Sequence, residues 1–272
     1  MEKEFNWRSS QIAYTEFGSG NTLLIAFHGY GQSGCIFKKF ESALSAQYRV
    51  VSIDLPHQGK TQWNENDELT IADLEDLVRS LMRHFNESKD VSLMAFSIGG
   101  NYALGLAATC PDIVNEIWLL AADGLYTRRI FYFATKTVIG KRIFHHFIEH
   151  PKFIFSLMRL MLKTGQLDKK VYKFYRGNYD TLEKRRNVYK RWISASRMNY
   201  RSTRIIELAN QHQFKIHLLY GKFDKVIPLS RAKHFHKKVP SSSLTILEQG
   251  HDLIKTKNSK FIQEIIDDYK AQ

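Results

Sequence analysis

Cysteine is scarce in this chain: Cys35 and Cys110 are the only two among 272 residues. That excludes a disulfide-stapled frame and suits a reducing compartment. The opening stretch, Met1 to Ser10, is polar and charged and has no apolar core like that of a secretory signal. No run approaches the roughly 18 consecutive apolar residues that a membrane-spanning helix needs. The expectation is a cytoplasmic protein. Internal repeats and low-complexity tracts are also missing. Acidic residues are nearly absent from one stretch: Tyr126 to Arg204 holds twenty Lys and Arg against four Asp and Glu, while the rest of the chain nets −3 within a total of +13. The basicity belongs to one block, and with no recognition motif beside it nucleic acid is not an expected partner.

Outside that block, short apolar, β-branched runs alternate with helical stretches. Candidate strands are Thr22 to Phe27, Tyr48 to Asp54, Val91 to Phe96, Glu116 to Ala122, Lys215 to Tyr220 and Ser243 to Glu248. Several are apolar enough to be buried on both faces, which predicts a mostly parallel sheet. Ser9 to Tyr14 reads as an earlier antiparallel strand before the Gly18-Ser19-Gly20 turn. Helical periodicity runs over Leu69 to Phe85, with Thr70 as the cap and Asp73 three residues on, and again over Phe261 to Tyr269. The length and the 43% hydrophobic content suit one α/β domain carrying a sizeable insertion.

Ser97 is the most informative residue. The strand-like Val91 to Phe96 runs into it, the small Ala95 and Gly99 flank it at two residues on either side, and a helix-like segment, Asn101 to Thr109, follows. This reads as a nucleophile elbow, a turn that holds its serine at a strained angle and has no room for large neighbours; Ala95 stands where the usual pattern has glycine. In an open α/β sheet chemistry gathers at the carboxyl ends of the strands. Those ends carry His28-Gly29-Tyr30-Gly31, then Asp54-Leu55-Pro56-His57-Gln58-Gly59, then the elbow, Asp123-Gly124, Asp224 within Phe223 to Pro228, and Gly250-His251.

Ser97, Asp224 and His251 therefore fall in a triad order, and on these spaced motifs the sequence resembles the α/β-hydrolase superfamily, in particular its cap-bearing carboxylesterase-like members. The resemblance covers roughly Ser9 to Gly124 and Ile205 to Tyr269. It implies a hydrolase core over 1–124 and 205–272 and a helical, strongly basic cap over 125–204. It also implies a cofactor-free serine hydrolase acting on an ester or thioester. His251 would take the proton of Ser97, Asp224 would orient the imidazole, and the backbone N–H groups of Ile98 and Tyr30 would receive the oxyanion. Hydrolysis of a carbon–carbon bond on the same triad, and a non-catalytic ligand-binding member of the fold, stay open.

Rival residues have plainer readings. Asp123 competes with Asp224 as the triad acid. His57 lies in what resembles a structural loop of the family, His28 reads as a histidine that holds its loop, and Cys35 as a small buried thiol. His146 to His150 fits H-x-x-E-H, but no third-ligand context follows, so no metal is expected. The basic block, densest at Lys169-Lys170, Lys184-Arg185-Arg186 and Lys190-Arg191, is partly explained by solvated helix faces. As a functional feature it would attract an anionic substrate, an acidic acyl carrier protein or an anionic lipid surface, beside the small-molecule acyl ester itself.

Overall fold

The β-branched runs form the inner strands of an eight-stranded sheet in a computed structural model, which describes residues 2–65, 68–87, 89–126, 129–211 and 214–270. The strands are β1 (Glu2–Trp7), β2 (Ser10–Phe17), β3 (Thr22–Phe27), β4 (Tyr48–Ile53), β5 (Val91–Phe96), β6 (Val114–Leu120), β7 (Lys215–Gly221) and β8 (Ser243–Leu247), in the order β1-β2-β4-β3-β5-β6-β7-β8. β1 and β2 are antiparallel additions at one edge; every pair from β4–β3 to β7–β8 is parallel. β3 and β5 keep their expected limits. β4, β7 and β8 end within one residue of theirs, while β6 starts two residues earlier than expected and stops at Leu120.

β1 was not expected from the sequence. Its Glu2, Lys3 and Glu4 are exposed, and charge on an outer strand blocks edge-to-edge pairing, so the feature that hides the strand from pattern reading is the one that protects the edge. The helices are α1 (Glu41–Leu44), α2 (Ile71–His84), α3 (Gly99–Thr109), α4 (Arg129–Lys136), α5 (Val138–Glu149), α6 (Lys152–Lys163), α7 (Lys169–Tyr179), α8 (Leu182–Arg197), α9 (Ser202–Asn210), α10 (Leu229–Lys238) and α11 (Ser259–Lys270). α2 begins as the spacing predicts: Thr70 Oγ1 accepts from the Asp73 N–H, and Asp73 returns an oxygen to the Thr70 N–H. Among the described residues no helix is long and apolar enough to cross a membrane.

The chain divides into two compact units, Met1–Tyr126 with Arg197–Gln272, and Thr127–Ser196. The first holds the sheet. The second is helical and has its own small core, in which the Phe144 ring lies 5.2 Å from Tyr189 and 5.3 Å from Trp192, with Phe131 5.4 Å from Trp192. Not all its basic residues face water. Arg185 is buried and donates to the Ile148 carbonyl (2.6 Å) at the end of α5 and the Tyr179 carbonyl (3.0 Å) at the end of α7. It satisfies carbonyls that a helix end leaves unpaired, and its charge suits the negative end of each helix dipole.

At the amino ends of the sheet strands, one buried carboxylate ties five strands together. Glu116 of β6 accepts from the Tyr48 hydroxyl of β4 (2.7 Å) and the Ser92 hydroxyl of β5 (3.1 Å), and its other oxygen lies 3.0 Å from His217 Nε2 of β7. His217 Nδ1 in turn meets Ser243 Oγ of β8 at 2.8 Å. Burial alone would raise the Glu116 carboxyl, but the hydrogen bond and charge of His217 and the bond from Tyr48 outweigh it and hold the group below the ordinary value of 4.5. A depressed carboxylate stabilises the fold above its unfolded value and loses that contribution as pH falls through the folded one. Glu116→Gln is therefore expected to unfold at lower urea than wild type at pH 7, by about 3 kcal/mol. The gap should narrow once the pH is taken below 4.5. A gap that stays constant with pH would show that the carboxylate's charge is irrelevant there.

Candidate active site

The turn after β5 is strained and tightly held. Ser97 has φ 52°, a left-handed conformation that a side chain rarely adopts and that persists only where its surroundings over-determine it. Here the Ser97 N–H donates to the Leu120 carbonyl (3.2 Å), and the Ser97 carbonyl accepts from Gly100 (3.0 Å) and Asp123 (2.7 Å). Gly99 and Gly100 let α3 start directly against the strand ends. A Cβ on Gly99 would lie 2.2 Å from the Phe27 carbonyl oxygen, and one on Gly100 2.2 Å from that of Asp123. Ala95, where the elbow pattern has glycine, is fully buried in β5 between Phe27 and Leu119, and its methyl group is accommodated.

Three side chains from three strand ends meet at this turn. Ser97 Oγ lies 2.9 Å from His251 Nε2, and His251 Nδ1 lies 2.8 Å from Asp224 Oδ2. The other oxygen of Asp224 accepts from the backbone N–H groups of Val226 (2.7 Å) and Ile227 (2.8 Å), which lock a fully buried carboxylate. With Nδ1 donating to Asp224, Nε2 is left as the acceptor that the Ser97 hydroxyl requires. Phe96, the residue before Ser97, places its ring 5.2 Å from that of His251. The same ring lies against the turn at Gly29, where a Cβ would come 2.7 Å from it. Sequence reading did not single out Phe96; its position next to the elbow was the available signal.

The loop after β3 is pinned from several sides. The Leu55 N–H donates to His28 Nε2 (3.0 Å), so the ring's proton is on Nδ1, which donates to the Gly29 carbonyl (2.7 Å). His28 thus ties this loop to the one after β4. The Gly29 and Gly31 N–H groups, on either side of Tyr30, donate to the side-chain carbonyls of Gln32 (3.1 Å) and Gln58 (2.8 Å). Neither glutamine was expected, since nothing local marks an amide that reaches across loops. The Ile98 N–H, next after Ser97, donates to no group among the described residues.

The rival residues lie in other pairings. Asp123 binds through its backbone to Ser97, and its charge adds to burial in raising the hydroxyls of Tyr200 and Tyr220, while His251 Nδ1 faces Asp224. His57 Nε2 lies 2.8 Å from Glu68. Cys35 corrects an expectation. It is exposed, with Sγ 3.1 Å from Ser33 Oγ, because its short helical turn buries Phe37 and Phe40 and faces Cys35 to solvent. Cys110 is the buried thiol, pushed up to about 12 by burial and by Glu75. The His146 and His150 rings lie 4.8 Å apart, and no group of three or more His, Cys, Asp or Glu that could hold a metal occurs among the described residues.

A family model of the alpha/beta hydrolase fold matches residues 22–257, and the chain belongs to that family. It is similar to an uncharacterized hydrolase, YugF, of Bacillus subtilis (strain 168), 24% identical over 252 residues that cover 92% of this chain and 90% of that one. A pimeloyl-[acyl-carrier protein] methyl ester esterase of Aliivibrio fischeri (strain MJ11) is 23% identical over 254 residues, 91% of this chain and 93% of its own. Among solved structures, a thermophilic esterase from Thermogutta terrifontis superposes with a TM-score of 0.70 at 17% identity, covering 100% of this chain and 98% of that one, and so shares the fold.

The close approach of α3 can be tested by adding one methyl group. Gly99→Ala is expected to destabilise the protein by about 1–3 kcal/mol, because backbone atoms must move to admit it. Gly177→Ala, in α7 with nothing within 4 Å, is expected to be neutral or stabilising by up to about 1 kcal/mol. Urea unfolding of both variants checks the pair; equal effects would refute the packing argument.

Proposed function

We propose that this protein is a serine hydrolase that cleaves a carboxylic ester or thioester through an acyl-enzyme intermediate. The observation that carries the reading is the relay of 2.9 Å from Ser97 Oγ to His251 Nε2 and 2.8 Å from His251 Nδ1 to Asp224, built on a strained turn. Ser97 Oγ attacks the acyl carbon while His251 takes its proton, and Asp224 stabilises the imidazolium so formed. The N–H groups of Ile98 and Tyr30 would receive the oxyanion; a missing donor of this kind typically lowers the rate by about 100-fold or more. His251 then returns its proton to the departing alcohol or thiol. Water, deprotonated by the same nitrogen, attacks the acyl-enzyme and frees the acid and Ser97. No cofactor is needed at any step.

The relatives named as esterases support the ester as substrate, and the one acting on an acyl-carrier-protein methyl ester supports a small acyl ester, carrier-bound or free. We take the helical insertion as the cap that selects the acyl group, as the family resemblance implies, and the cytoplasm as the compartment.

Hydrolysis of a p-nitrophenyl ester series of rising acyl length tests the proposal. Wild type should turn over at least one member. Ser97→Ala should lose about six orders of magnitude in kcat and Asp224→Asn about four, with the fold unchanged by circular dichroism. Folded wild type inert on every ester would overturn the reading in favour of carbon–carbon hydrolysis or a binding role.

A further inference from the structure

Of the fourteen exposed large hydrophobic side chains among the described residues, ten lie in Thr127–Ser196, about a quarter of the chain. They are arranged along helices. On α6, Phe153 (69% exposed), Leu157 and Leu160 follow at i, i+4 and i+7, one continuous stripe. Phe155 is buried on another face of the same helix. Beside the exposed stripe, Lys152, Arg159 and Lys163, at i, i+7 and i+11, form a second, basic stripe that is also exposed and makes no ion pair among the described residues. α5 repeats the arrangement with Ile139 and Ile143, four residues apart, next to Lys141 and Arg142.

An apolar stripe exposed along one helix and repeated on the helix before it is not ordinary surface texture. Apolar residues beside unpaired lysines and arginines are the chemistry of a helix lying in a membrane interface, its apolar side among acyl chains and its cations at the phosphates. An acidic protein would use the cations and leave Phe153, Leu157 and Leu160 without a role. A second copy of the chain would cover the apolar stripe but set two strongly basic surfaces face to face. We propose that α5 and α6 dock this protein on an anionic lipid surface. The proposal stands on the insertion's surface alone, independently of Ser97.

Co-sedimentation of the full chain with phosphatidylcholine vesicles, with and without phosphatidylglycerol, tests it. The protein should bind the anionic vesicles and not the neutral ones. Arg159→Gln with Lys163→Gln should weaken binding roughly fivefold per charge, a loss that shrinks as salt rises. Phe153→Ser with Leu157→Ser should weaken it at least about tenfold, a loss that persists in high salt. Both residues of each pair are exposed, so these variants should fold as wild type by circular dichroism. Binding insensitive to the serine pair, or absent from anionic vesicles while an acidic acyl carrier protein binds, would overturn the proposal. So would concentration-dependent dimerisation, seen by analytical ultracentrifugation, that the serine pair abolishes. Turnover of a water-soluble short ester without vesicles reports the hydrolase reading separately, so either can fail alone.

Discussion

The candidate site depends on one peptide unit being kept in a conformation it would not choose. Ser97 at φ 52° opposes a strain of about 1–3 kcal/mol, and it stays there because the strands on either side leave its N–H and carbonyl no better partners than Leu120, Gly100 and Asp123. That clamp needs β3, β5 and β6 in parallel register with their carboxyl ends level. The register in turn needs α3 to start within contact of Phe27 and Asp123, which only glycine at 99 and 100 permits. The strain is thus a property of the whole sheet, read out at one residue. Once the turn is formed, the hydroxyl is presented at the carboxyl end of the sheet with His251 as its partner, and the next N–H along the chain, on Ile98, is unpaired among the described residues.

Among the described residues two histidine–carboxylate pairs each meet a serine, and comparing them shows what makes one of them a candidate for chemistry. His217 touches Ser243 and Glu116 as closely as His251 touches Ser97 and Asp224. The difference lies in surroundings. The His217 side chain is 9% exposed and that of His251 24%. Ser243 opens a regular strand, whereas Ser97 sits on a strained turn ahead of a helix. Glu116 also takes hydrogen bonds from Tyr48 and Ser92, which spend its second oxygen on two more strands; Asp224 spends its second oxygen on its own loop. The first arrangement fastens five strands at one end of the sheet. The second fixes one carboxylate so that its histidine can face a single hydroxyl.

How much of this was legible in the sequence follows from how local each feature is. Val91 to Phe96 with Ser97 and Gly99, and Thr70 with Asp73, are patterns within a few residues, and they read correctly. That Ser97, Asp224 and His251 come together was legible because strand ends in a parallel sheet converge, so chain order served as a proxy for space. Gln32 and Gln58 escaped because their partners are backbone groups of a glycine-rich loop, where no side-chain pattern records the contact. β1 escaped because Glu2, Lys3 and Glu4 mask its alternation. Cys35 was misread because cysteine is usually buried and the short helical turn that exposes it has no period long enough to detect.

Charge and apolar exposure in the insertion come from different levels, and that separation makes the pair informative. Thr127–Ser196 has seventeen Lys and Arg against four Asp and Glu. One-to-one pairing can neutralise at most four cations, and Arg186 with Glu149 and Lys184 with Asp180 already use two of the acids. Arg185 turns inward to helix-end carbonyls. However the helices pack, most of the remaining cations must face water, so a positive surface follows from composition alone. Nothing in composition makes Phe153, Leu157 and Leu160 face outward with it: the same helix has Phe155 on its buried side, so it carries more apolar side chains than its own packing takes in. A segment that needed positive charge only for solubility would have kept the exposed stripe polar. Retaining both on adjacent stripes of one helix is explained by a surface that is itself negative outside and apolar beneath.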